Sequence, residues 1–127
     1  MNTPDYLPTP GAPAPVAVAL LPLDPAIRYV AVNQDGRITE MTQRIASHNP
    51  VATDQIEELI VNPTVLNMVQ RRGALDLGGA EWVLIRYGLQ YQLVFPYKQG
   101  HVPVGLEPEA DALRLAPRIA ERLRQLP

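Results

Sequence analysis

The chain has 127 residues, 46% hydrophobic and 19% charged, with a formal net charge of −2 and no cysteine. That length and composition fit one domain with a packed core, and the missing basic surplus argues against a nucleic-acid partner. Disulfides, thiolate metal sites and cysteine nucleophiles are excluded, in keeping with a reducing, cytoplasmic setting.

Residues 1–26 read as a proline-rich, partly disordered arm, and 27–127 as the domain. Pro4, Pro8, Pro10, Pro13, Pro15, Pro22 and Pro25 fall in the first segment. Each fixes φ and removes a backbone donor, so Met1 to Pro15 is expected to be extended rather than helical. Val16 to Leu23 is apolar but far short of the ~20 residues that span a bilayer, so no membrane insertion is expected. It is predicted to be a strand or arm lying over apolar surface. Residues 1–26 hold no Lys or Arg, which disfavours a secretory leader.

Ile27 to Asn33 is rich in β-branched residues and runs into Asp35-Gly36, a hairpin signal. The return strand, Arg37 to Gln43, puts Glu40 and Thr42 on one face and suits a position near an edge. A helix, kinked or double, is predicted over 54–72, with a cap at Thr53 or Asp54 and an interruption at Asn62-Pro63. Its apolar stripe is Val65, Leu66, Val69 and Met68, and Arg71-Arg72-Gly73 form its end. A glycine loop at 75–80 leads to three strands, 81–87, 90–97 and 101–107, with Pro96 and Pro103 marking bulges or edges. A final amphipathic helix is predicted over 109–126, with Leu113, Ala116, Ile119, Ala120, Leu123 and Leu126 inward and a kink at Pro117.

The resulting order is ββαβββα, an α+β fold with a five-stranded, mostly antiparallel sheet and helices covering it. This order resembles the roadblock family, related to longin and profilin-like domains. The resemblance rests on IRYVAVNQDGRI at 27–38, the helical 54–72 segment, the glycines at 78–79 and the strands at 81–107. Roadblock domains have a helix before the first strand, where this chain has its proline-rich arm. The resemblance implies a homodimeric scaffold or regulator of small GTPases without a catalytic centre. Its dimer interface would include Trp82, Leu84 and Arg86 with Val65 and Met68, and Arg71 and Arg72 would be available to a partner.

No motif points to chemistry. Gly78-Gly79 lacks the context of a phosphate loop. His48 and His101 have no ligand-spaced neighbour, Ser47-His48 lacks an orienting acid, and Glu57 and Glu58 diverge by about 100° on a helix. No metal, cofactor or enzymatic activity is expected. The alternative function is a PAS- or GAF-like small-molecule sensor, whose pocket would use the aromatic residues Trp82, Tyr87, Tyr91, Phe95 and Tyr97.

Overall fold

A computed structural model describes residues 6–7, 14–44 and 56–127. The segments are β1 (Tyr6–Leu7), α1 (Pro15–Leu20, continued by a 3₁₀ turn at Leu21–Leu23), β2 (Ile27–Gln34) and β3 (Arg37–Arg44). A π-helical turn at Glu57–Val61 then leads into α2 (Asn62–Asp76), followed by β4 (Val83–Arg86), β5 (Tyr91–Tyr97), β6 (Gly100–Leu106) and α3 (Ala112–Arg124). The sheet order is β1-β3-β2-β6-β5-β4, and every pairing is antiparallel. Five full strands therefore carry the fold, with β1 adding two residues beside Gln43 and Arg44.

Helices cover both faces. On one, α1 and α3 enclose the apolar core with Ile27, Val30, Val32, Leu93, Phe95, Val102, Val104 and Leu106. On the other, α2 lies over the alternate residues of the central strands, among them Tyr29 and Gln92.

The strand or arm expected over 16–23 is a helix. Pro15 occupies its first turn, where a missing N–H costs nothing, and Val16, Ala17, Leu20 and Leu21 recur at helical spacing and are buried in the core. The helix expected before the first full strand of a roadblock domain is thus present. Of the arm expected over 1–26, residues 1–5 and 8–13 lie outside the described residues, as do the caps expected at Thr53 and Asp54.

The helix expected over 54–72 runs on to Asp76 and passes Asn62-Pro63 without a break. The wider π turn just before Pro63 gives its ring room where a regular α-turn would press it against the carbonyl four residues back. Near its end α2 lies against the glycine loop: Leu77 and Gly79 both donate to the Gly73 carbonyl, at 2.9 and 3.1 Å. A β-carbon on Gly73 would stand 2.9 Å from the Gly79 carbonyl carbon, so the close approach needs glycine there.

Two further details differ from expectation. Pro103 lies in β6, a central strand, where the β2–β6 pairing has a gap between Val30↔Val104 and Asn33↔His101; the missing donor falls at that gap. Leu113 on α3 is 74% exposed, and Leu115 takes the inward position. Asp111 accepts from Arg114 N and so caps α3.

Candidate functional site

Strand β4 forms one edge of the sheet. Tyr87 N donates to Gln90 O across the turn that joins β4 to β5. Ladder parity then turns Val83 and Ile85 toward β5 and leaves the backbone groups of Leu84 and Arg86 facing outward. Trp82 and Leu84 are half-buried against the core on the α3 side. Arg86 is exposed, its guanidinium 4.7 Å above the Tyr91 ring. Val83 and Ile85 lie on the α2 side, since their partners Val94 and Gln92 alternate with the core residues Leu93 and Phe95.

The expected apolar stripe of α2 is mostly not core. Leu66 is buried and Val65 half-buried, but Met68 is 67% exposed and Val69 40%, with Leu75 and Leu77 also exposed. Met68, Val69, Gly73, Leu77, Gly79, Ala80 and the stem of Arg72 line an apolar groove of about 350 Å³ that ends on the segment entering β4. The expected interface residues thus fall on two layers, with Met68 lining the groove that reaches the start of β4. Trp82, Leu84 and Arg86 project on the α3 side, while Val65 and Met68 belong to α2. Arg71 is exposed. Arg72 pairs with Asp76 one turn along, inside the helix and not at its end.

A polar layer that the sequence reading did not find holds α2 onto the sheet. Tyr29 Oη lies 3.1 Å from Glu58 Oε1 and 2.7 Å from the Gln92 side-chain amide. The phenol hydroxyl thus faces two acceptor oxygens, Glu58 Oε1 and Gln92 Oε1, and is the donor to both. Asn62 Nδ2 donates to the other Glu58 oxygen at 3.3 Å. Burial, then the Glu58 charge, push the Tyr29 phenol well above its ordinary range. Nearby, Tyr87 donates to Glu57, 3.0 Å from both carboxylate oxygens. Burial, followed by Glu57, pushes Tyr87 up to about 12.

His101 is buried on this same face, and burial pulls its pKa below the usual 6.5. Ser47 and His48 lie outside the described residues. Among those described, no group of three or more His, Asp or Glu stands at metal-binding distance. Asp35 and Gly36, at φ 52° and 80°, form the β2–β3 turn, and Gly78-Gly79 form the loop against Gly73. Phe95 is sealed in the core, with Trp82, Tyr91 and Tyr97 packed partly against the same cluster, so these aromatic rings help fill the interior, and Tyr97 also borders a surface cleft beside Val16 and Val32. No described helix is long and apolar enough to cross a membrane.

No protein-family model and no curated protein sequence matches the chain. Solved structures match it closely in shape. A roadblock/LC7 domain from Streptomyces avermitilis superposes with a TM-score of 0.67 at 14% identity, over 90% of this chain and 93% of that one. A structure of MglB with a tetrameric arrangement gives 0.61 at 12%, covering 87% of each chain. The gliding protein MglB from Thermus thermophilus gives 0.60 at 13%, covering 88% of each.

Proposed function

From its roadblock fold, we propose that the protein is a non-catalytic interaction module that works as a homodimer and serves as a scaffold or regulator for a small GTPase. The observation that carries this reading is the open edge of β4 beside the exposed apolar side of α2. An edge strand with unpaired backbone groups and apolar flanks invites another strand, and a twofold copy of β4 would join two sheets into one while bringing the two α2 helices together. Leu84 and Arg86 supply the outward backbone groups, Trp82 flanks them on one layer, and Val65 and Met68 are covered on the other. The exposed Arg71, with Arg72 beside it, then remains for a partner with acidic or phosphate groups, which a guanidinium grips well.

The small-GTPase assignment rests on resemblance to roadblock proteins; the self-association rests on the edge and groove. Affinity capture with the tagged full chain tests the first, with a small GTPase expected and Arg71→Glu with Arg72→Glu expected to weaken its recovery. Light scattering tests the second, and a monomer mass at tens of micromolar overturns it.

A further inference from the structure

At the end of the sheet that carries the Asp35-Gly36 and Lys98-Gln99 turns, a cleft of about 410 Å³ opens between the start of α2 and the hairpin tips. None of its lining residues belongs to β4, so the cleft is separate from that edge. Leu59, Pro63, Leu66 and Pro96 give it flat apolar walls, Asn67 and Gln70 stand one turn apart on α2, and Asn33 and His101 lie against the sheet. Asn33 and His101 are directly opposed across the β2–β6 ladder. They are 3% and 4% exposed, and neither Asn33 Nδ2 nor His101 Nε2 has a hydrogen-bond partner among the described residues.

Buried polar atoms are almost always paired, so two neighbouring exceptions at one cleft call for a group that completes them. The chemistry of the lining narrows what that group is. Among the described residues the lining includes no carboxylate, and its one cation, Lys98, is turned away: Nζ donates to Pro127 O at 3.0 Å and lies 5.1 Å from the Tyr97 ring centre. Four carboxamides, those of Asn33, Asn67, Gln70 and Gln99, and a buried imidazole remain between apolar plates. A carboxamide presents a donor and an acceptor side by side, the pattern carried by the edge of a nitrogen heterocycle. The volume is in the range of small-molecule sites, typically ~300–1,000 Å³.

We propose that this cleft binds an uncharged, planar nitrogen heterocycle of nucleobase size, stacked between the proline and leucine walls, with its edge read by Asn67 and Gln70 and its inner side completed by Asn33 and His101. Titration of the ¹⁵N-labelled full chain with adenosine, guanosine, cytidine and uridine in turn tests it, with inorganic phosphate as the control. Saturable shifts are expected for at least one nucleoside, confined to the amides of residues 33–36, 66–70 and 98–101 and to the Asn33 side chain. Gln70→Ala and Asn67→Ala, at positions not sealed in the core, should each weaken that binding about tenfold, the loss of roughly one hydrogen bond, with the unfolding midpoint unchanged. Absence of saturable shifts with all four at millimolar concentration, shifts unaltered by both variants, or saturation by phosphate instead would each overturn the proposal.

Discussion

Glu40 and Arg44, four residues apart on one face of β3, grip opposite ends of α1. Glu40 accepts from Ala17 N at 3.2 Å and Val16 N at 3.4 Å, and Arg44 donates to Leu21 O at 2.6 Å, Asp24 O at 2.9 Å and Ile27 O at 2.5 Å. Four strand residues advance ~13 Å, close to the ~12–14 Å rise of Pro15 to Leu23 as helix. The acid meets the positive end of the helix and the cation its negative end. α1 has no side-chain cap of its own, so the neighbouring strand supplies both.

Arg44→Ala removes the side-chain donor to the buried Leu21 and Ile27 carbonyls, while the part-buried Asp24 carbonyl keeps its bond from Ile27 N; it should lower stability by about 2–4 kcal/mol, given the 1–3 kcal/mol cost of each unmet buried group. Glu40→Ala should cost about 1–2 kcal/mol, as for loss of a helix cap. Urea unfolding followed by circular dichroism measures both, and an Arg44→Ala midpoint equal to that of the parent would refute the clasp.

Acid dependence should carry two opposed contributions. Burial pushes the Glu40 carboxyl up against the pull of Ala17 N and Val16 N, and burial likewise raises Glu57 against its bond from Tyr87. Just above pH 4.5 the native state therefore holds more protons than the unfolded chain, and these two groups lose stability as pH rises through that window. His101 works the other way: held below 6.5 by burial, it binds fewer protons than the unfolded chain just under pH 6.5 and loses stability as pH falls. His101→Gln should remove that acid-side loss in unfolding midpoints taken between pH 4.5 and 7. An NMR titration should place the His101 midpoint below 6.5.

Gly105 is the floor on which the Tyr29 ring lies. A β-carbon there would stand 2.2 Å from Tyr29 Cε1, so Gly105→Ala must displace the ring and its bonds to Glu58 and Gln92. A loss of about 2–4 kcal/mol is expected from overpacking together with a broken polar network. Differential scanning calorimetry reads it, and Gly105→Ala with Tyr29→Ala should recover the packing part.

Leu84→Pro removes an outward-facing donor of β4 without touching the bonds to β5. The variant should scatter light as a 14.0 kDa monomer while the parent scatters as twice that mass. An unchanged dimer would move the interface away from this edge.

The hairpin at Asp35-Gly36, the strands near 83–106 and the last helix were legible because each is written locally, in turn residues and periodicity. α1 was not, because its prolines argue against helix unless Pro15 is seen to occupy a first turn, and because its caps come from Glu40 and Arg44, more than twenty residues on. The polar layer under α2 was hidden for the same reason: Tyr29, Glu58 and Gln92 meet only after folding. Leu113 and Leu115 were exchanged because the predicted stripe began too early on α3. For the candidate site, the β4 residues and α2 were found together, but their division between two layers depends on which face of the sheet each strand residue takes.

The pairing of β2 with β6 sets a kinetic order. Val30 finds Val104 only after most of the chain has been made, whereas β2–β3 and β4–β5–β6 join through short turns. Closing that central seam is the step with the largest loop entropy, so the sheet should assemble as two independently formed sub-sheets that dock late. Substitutions at the seam, such as Val104→Ala, should slow refolding more than substitutions of equal cost in α1, which should mainly hasten unfolding.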